Sequence, residues 1–355
     1  MVADVAELAD ALDSKSSTRE SVWVRPPPSA PNQAMRIYFF LACFLALLTG
    51  CAAAPDKGTQ GVQISQAAGK LRIEINGRLF TEYHYADVPR PFFFPILGPD
   101  ELPMTRRWPM VATTNEQHDH PHHRSLWYAH SSVNGLDFWT EGSNTCKIVH
   151  DKFLNIQSGK NSGVIESTDK WLARDGSTVC TDVRTFRVYD GPDNQRLFDF
   201  DITLQAPPDK PVTFGDEKDG TVAMRVAETM RLKIHNKLAA GHIVQSTGLR
   251  DEATWGKRAD WCDYYGPVNG KIVGAAIFDH PGNPRHPTWW HVRDYGLFAA
   301  NPFGIHDFEK KPKGTGDFTI PAGHSVTFRY RFYLHEGDER QAGVAEKYRE
   351  YSRSN

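Results

Sequence analysis

Apolar residues in this chain recur at every second position more often than at every third or fourth. In Phe198-Asp199-Phe200-Asp201-Ile202-Thr203-Leu204 the four apolar side chains fall on one face. The Asp pair falls on the other and reads as the wet face of a half-buried antiparallel strand. Leu71, Ile73 and Ile75 alternate with Arg72 and Glu74, and Asn76-Gly77 then turns the chain into Leu79–Tyr85. Asn-Gly between alternating runs is the strongest short hairpin signal. Further strands are expected at Lys147–Gln157, Gly163–Trp171, Val179–Tyr189, Leu197–Leu204, Thr221–Ala227, Lys271–Phe278, Tyr295–Ala300 and Ser325–Leu334. Helical spacing is confined to Glu339–Tyr351, where Val344, Tyr348 and Tyr351 share a face. No unit repeats at a fixed period and no second linker interrupts residues 62–355. The expected fold class is therefore all-β: one large antiparallel β-sandwich domain over 62–355 with a short C-terminal helix.

At 355 residues the chain could hold two average domains, but one large sandwich also reaches this size. Forty-one Lys and Arg stand against 43 Asp and Glu, a net charge of −2, which gives no electrostatic reason to expect nucleic acid as a partner. Five Cys without paired spacing exclude a disulfide scaffold and a Cys-based zinc motif.

Ile37–Leu48 is an apolar run of 12 residues, short for a transmembrane helix and right for the apolar region of a signal peptide. Arg36 precedes it and Leu48-Thr49-Gly50-Cys51 closes it. The close resembles a bacterial lipobox, which implies lipidation at Cys51, a signal peptide over 35–50 and a lipidated tether over 51–61. Residues 1–34 are polar and Pro-rich, and Met35-Arg36 would make a compact start, so 1–34 is expected to be a non-native or disordered extension. Several acyl chains on Cys51 would give a stable membrane anchor. Ala52 after the Cys, by resemblance to Gram-negative lipoproteins, points to the outer membrane or the periplasm-facing envelope.

The candidate site lies between Arg90 and Trp139. This stretch holds Thr105-Arg106-Arg107-Trp108-Pro109 and Asp119-His120-Pro121-His122-His123-Arg124, and its density of Pro, His, Arg and aromatics suits an ordered, irregular loop. A second cluster comprises Asp279-His280-Pro281, Asn283-Pro284-Arg285-His286-Pro287 and Trp289-Trp290-His291-Val292-Arg293-Asp294. Trp255 and Arg258 lie before it, suited to stacking on a sugar ring. The two Asp-His-Pro loops are expected to meet at one end of the sandwich. His120, His122, His123 and His291 are the candidate acid/base groups. Arg107, Asp119, Arg124, Trp255, Arg258, Asp279, His280, Arg285, His286 and Asp294 are the candidate substrate contacts. His120 and His122 share a face of an extended segment, so a divalent metal is possible, with a third ligand from the 280–291 segment. No cofactor is otherwise expected.

Asp119-His120-Pro121-His122-His123-Arg124 and Asn283-Pro284-Arg285-His286-Pro287 resemble motifs of the PmoA-like family of unknown function, common in bacteria that degrade polysaccharides. A weaker likeness is to aldose-1-epimerases: Pro95 and Gly98, then Arg106 or Arg107, then a His-Arg pair, with Pro321-Ala322-Gly323 leading into the last strand. This likeness implies a galactose-mutarotase-like supersandwich and His acid/base chemistry. His306-Asp307 stands where those enzymes carry their Glu base, so mutarotase activity does not carry over. Three functions follow as expectations. The chain is a carbohydrate-active enzyme, a non-catalytic glycan-binding surface lipoprotein, or a His-ligated metal enzyme. The first is favoured because binding alone seldom gathers so many titratable groups.

Overall fold

Two eight-stranded sheets carry the fold, and every strand pairing among the described residues is antiparallel. The computed structural model describes residues 60–353 apart from Asn236. The expected extension, the signal peptide and Cys51 lie outside the described residues.

The first sheet runs β1 (Val62–Ala67), β2 (Lys70–Ile75), β3 (Arg78–His84), β4 (Phe92–Ile96), β5 (Leu126–His130), β11 (Gly220–Arg225), β18 (Leu297–Asn301), β17 (Trp289–Val292). The second runs β14 (His242–Gln245), β15 (Trp261–Val268), β16 (Lys271–Asp279), β20 (Ser325–Glu336), β9 (Gln195–Gln205), β8 (Thr178–Tyr189), β7 (Ser162–Leu172), β6 (Lys147–Gln157). Two small pairs complete the set: β10 (Val212–Phe214) with β19 (Phe318–Ile320), and β12 (Lys233–Ile234) with β13 (Lys237–Leu238). The helices are α1 (Ile305–Glu309) and α2 (Val344–Tyr351).

The sheets pack face to face as a β-sandwich. Phe93 on β4 stacks on Phe186 of β8 at 4.0 Å, and Phe80 on β3 meets Phe198 of β9 at 5.5 Å. Asn76-Gly77 joins β2 to β3 with φ of 52° and 76°, the two-residue turn expected of this dipeptide.

Three expectations need correction. The stretch from Arg90 to Trp139 is not all loop, because it contains β4 and β5. All five residues of Leu126–His130 are buried. A strand covered on both faces shows no alternation, which hid it. The helix is shorter than expected and begins only after Gly343, which sits at φ 63° and ends the preceding turn. The Asp199–Asp201 face is not wet. Asp199 accepts from Arg331 Nε at 2.6 Å and from the Tyr189 hydroxyl at 2.7 Å. Burial, with the charge of Asp199 adding, pushes the Asp201 carboxyl up to about 7. Nearby, α2 lays Val344, Tyr348 and Tyr351 over Phe278 and Tyr333, a second small core on the outside of the second sheet.

Register across the first sheet positions the site. Trp127 pairs with Ala223, Ala223 with Ala299, and Ala299 with His291. Their neighbours face the other sheet: Tyr128 meets Trp171, and Phe298 meets Tyr264. Alternation then turns the row Trp127, Ala223, Ala299, His291 to the outer face. Two alanines thus separate an indole from an imidazole about 14 Å away, at ~4.8 Å per strand.

Candidate functional site

The loop from Asp119 to Arg124 folds over the Trp127 end of this row, and buried arginines hold it there. Arg106 is fully buried. It donates to the backbone carbonyls of Trp108 at 3.1 Å, Gln117 at 3.2 Å and His120 at 3.1 Å, and it pairs with Asp119. Arg225, also fully buried at the end of β11, donates to both Asp119 oxygens at 2.8 and 3.0 Å. Asp119 also accepts from His120 Nδ1 at 2.9 Å. Burial alone would raise the Asp119 carboxyl, but the His120 hydrogen bond and the two guanidiniums hold it well below the usual range.

The three histidines of the loop differ in role. His120, at φ 43°, has Nδ1 fixed on Asp119, which leaves Nε2 as a lone pair. Its ring lies parallel to His123 at 4.7 Å and to Tyr295 at 5.1 Å. Nδ1 of His123 accepts from Arg225 at 3.0 Å. A guanidinium can only donate, so the His123 proton sits on Nε2. Burial and the neighbouring positive groups keep His123 neutral. His122 stands edge-on to both rings, 5.7 Å from His120 and 4.6 Å from His123. Burial and then Arg90 lower it to about 3. Trp127 and Trp139 close the far side, with Trp139 5.8 Å from His123.

From Tyr295 the site continues toward His291. Arg293 lies over the Tyr295 ring at 5.4 Å and over Trp255 at 5.9 Å. Trp255 stands edge-on to His291 at 6.4 Å. His291 Nδ1 donates to the Lys218 carbonyl at 2.8 Å, and burial, with Arg293 and Lys218 adding, lowers the imidazole to about 3. One aromatic and cationic surface therefore links His123, His120, Tyr295, Arg293, Trp255 and His291.

The structure brings Asp119, His120, His122, His123, Trp255 and His291 into this surface and leaves the remaining candidates out. Arg107 is exposed, and it is its backbone N–H that bonds Glu116. Arg124 is held by both oxygens of Glu141 at 2.9 Å. Asp294 pairs with Lys233 at 3.4 Å. The two Asp-His-Pro loops do not enter the same end of the sheet. One leads into β5 beside Met224, near the end of β11, whereas the other leads into β17 beside Asn301, at the end of β18.

That second loop is bound up in itself. Asp279 accepts from Asn283 Nδ2 at 2.7 Å, His286 Nδ1 at 2.8 Å and Thr288 N at 2.9 Å. His280 accepts from the Gly282 N–H at 3.0 Å and stands edge-on to Tyr351 of α2. Arg285 donates to the carbonyls of Pro302, Gly316 and Asp317. Arg258 lies over Trp289 at 4.4 Å and, with Lys257, Phe308 and Glu309, lines a separate cavity of about 330 Å³.

Residue reading missed Arg225 and Tyr295 and passed over Arg293. Arg225 ends the buried run of β11, and an arginine at the end of such a run was the available signal. No group of three His, Cys, Asp or Glu among the described residues is arranged to hold a metal ion. Asp119, the carboxylate of the His loop, is already committed to two guanidiniums.

The family model of DUF6807, a family of unknown function, matches residues 70–349. The chain belongs to that family. No curated protein matches it. Among solved structures it is similar to a polysaccharide lyase, with 12% identity over 80% of this chain and 34% of that one and a TM-score of 0.32. It is also similar to a glycoside hydrolase family 97 enzyme from Pseudoalteromonas sp. strain K8 in complex with acarbose, with 10% identity over 78% and 34% and a TM-score of 0.31. An aldose epimerase homologue from C. elegans matches with 8% identity over 79% of this chain and 100% of that one, at a TM-score of 0.28. The DUF6807 chain spans about a third of the length of the first two.

Proposed function

We propose that this chain acts on carbohydrate by imidazole acid/base chemistry, as an extracytoplasmic protein anchored through lipid on Cys51. The observation that carries the reading is the Asp119–His120 pair beside His123. Asp119 keeps the His120 proton on Nδ1, so Nε2 can take a proton from a sugar hydroxyl or ring carbon. Arg225 keeps the His123 proton on Nε2, where it can form a hydrogen bond to a sugar oxygen. A lone pair and a donor thus lie on parallel rings 4.7 Å apart. Trp255 supplies a flat face of the kind on which pyranose rings stack. The likeness of the His-rich motifs to the PmoA-like family belongs to this reading and names no reaction.

Turnover of an oligosaccharide panel, followed by mass spectrometry, tests it. Wild-type protein should convert at least one member, and His120→Ala should lose conversion by at least about a hundredfold, as for a general base, with little change in melting temperature. Binding without conversion would make the chain a glycan-binding protein. Unchanged conversion in His120→Ala would remove His120 from the chemistry. The anchor is tested separately: labelled palmitate should enter the wild-type chain and fail to enter Cys51→Ser.

A further inference from the structure

We propose that the site takes an anionic sugar residue and that Arg293 receives its oxyanion. This rests on the carbohydrate reading above and names the substrate class of the same site.

Most guanidiniums around the His loop are already paired with a carboxylate. Arg90 and Arg124 are both held by Glu141. Arg106 and Arg225 are both held by Asp119. Arg231 is held by Glu228. Arg293 and the exposed Arg107 have neither an ion pair nor a side-chain hydrogen bond among the described residues, and of the two it is Arg293 that is held by aromatic faces, those of Tyr295 and Trp255. A guanidinium has five N–H donors in a planar fork and is weakly hydrated, and two aromatic faces fix its plane while leaving its edge free. That edge suits a carboxylate or a sulfate ester, either of which can accept two parallel hydrogen bonds.

Local charge points the same way. One carboxylate, Asp119, lies between two guanidiniums, so adding Arg293 leaves a positive surplus on this part of the face. Lys218 adds to it on the His291 side, close enough to disfavour a proton on that imidazole. Asp219 lies 3.8 Å from His291 Nδ1 and is the carboxylate that opposes the surplus there. The contact with Tyr295, whose ring parallels His120, would set the anionic group next to the His120 base.

The test is binding by isothermal titration of three matched oligosaccharide sets of one chain length: neutral, uronate-containing and sulfate-ester-containing. Wild type, Arg293→Gln and Arg293→Lys are compared, with folding checked by melting temperature. At least one anionic set should bind wild type at least about tenfold tighter than the neutral set, and that preference should weaken as salt rises. Arg293→Gln should remove the preference, read as the ratio of anionic to neutral affinity in the same variant, and Arg293→Lys should keep part of it. Which of the two anionic sets is preferred separates carboxylate from sulfate recognition. Neutral sugars bound as tightly as anionic ones would overturn this inference and leave the carbohydrate reading standing. So would a preference that survives in Arg293→Gln. Failure of all three sets to bind would overturn both.

Discussion

Asp119-His120-Pro121 and Asp279-His280-Pro281 share three residues and almost nothing of their wiring. In the first, the carboxylate binds its own neighbour His120 and two buried guanidiniums. The imidazole is left parallel to Tyr295, with side chain 27% exposed and Nε2 uncommitted. In the second, the carboxylate turns away from its neighbour and ties residues 283–288 to the end of β16. Its His280 bonds the backbone of its own turn. The difference lies in the charge that surrounds each tripeptide. Two arginines and the His120 hydrogen bond hold the first carboxylate ionised beside a partly exposed ring. Neutral amide donors and one imidazole make the second a fastening of the loop.

The largest expected effect tests the second tripeptide as a fastening. Asp279→Ala leaves Asn283, His286 and Thr288 donors without an acceptor in a buried place. At about 1–3 kcal/mol for each buried donor left unsatisfied, the loss should be at least about 3 kcal/mol in urea melts. Residual folded Asp279→Ala protein should keep its affinity for sugar. A loss under about 1 kcal/mol would show that this loop does not depend on its aspartate.

A second effect belongs to the first tripeptide's side of the molecule and appears as acid sensitivity. His122 and His291 are lowered to about 3, and His130 on β5 to about 4, each first by burial. The unfolded chain takes up a proton on each near pH 6.5, while the folded chain does so only near pH 3 to 4. Between these values the unfolded state holds more protons, so stability is full above about pH 6.5 and falls as pH drops through that window. Each histidine contributes a slope of about 1.4 kcal/mol per pH unit. Asp201, raised to about 7 by burial and Asp199, has the opposite sign over the same range and offsets about one of them. Urea midpoints from pH 7.5 to 4.5 should fall accordingly, and His291→Gln should flatten the curve by about one proton. A wild-type curve that is flat from pH 6.5 to 4.5 would show that these imidazoles are not held neutral by burial.

The two regions also differ in how far residues alone revealed them. The edge strand β6 occurs over Lys147–Gln157 as expected, and the alternating runs of β8, β9 and β20 lie within a residue or two of their expected bounds. β8 and β9 each have a covered face and a less covered one, so the two-residue period is visible. Central strands β4 and β5 left no such trace, and β5 carries Trp127 at one end of the site. The density of His at 120–123 marked the loop that lies against Trp127. Residues alone did not show that Arg124 is taken by Glu141, because whether a guanidinium is free depends on partners distant in sequence. Arg225 meets Asp119 across 106 residues, and Arg124 meets Glu141 across 17. The repeated tripeptide misled for the same reason. What distinguishes the copies is Arg106 and Arg225 on one side and Thr288 and Asn283 on the other, and none of these lies within the tripeptide.

The smallest expected effect is also the sharpest test of the comparison. His280 accepts from the Gly282 N–H within its turn and stands edge-on to Tyr351 at 5.2 Å. An aromatic edge contact of this kind contributes about 0.5–1.5 kcal/mol, and the turn retains Asp279, Asn283 and His286 as its fastening. His280→Ala should therefore cost about 1 kcal/mol or less in urea melts and leave sugar binding and turnover at wild-type levels. His120→Ala, the same substitution at the same place in the other tripeptide, should leave stability near wild type and remove turnover. Melts and turnover measured on both variants decide the matter together. If His280→Ala also lost turnover while staying folded, the two tripeptides would serve one chemistry, and the second loop would have to reach the site by a route other than its strand.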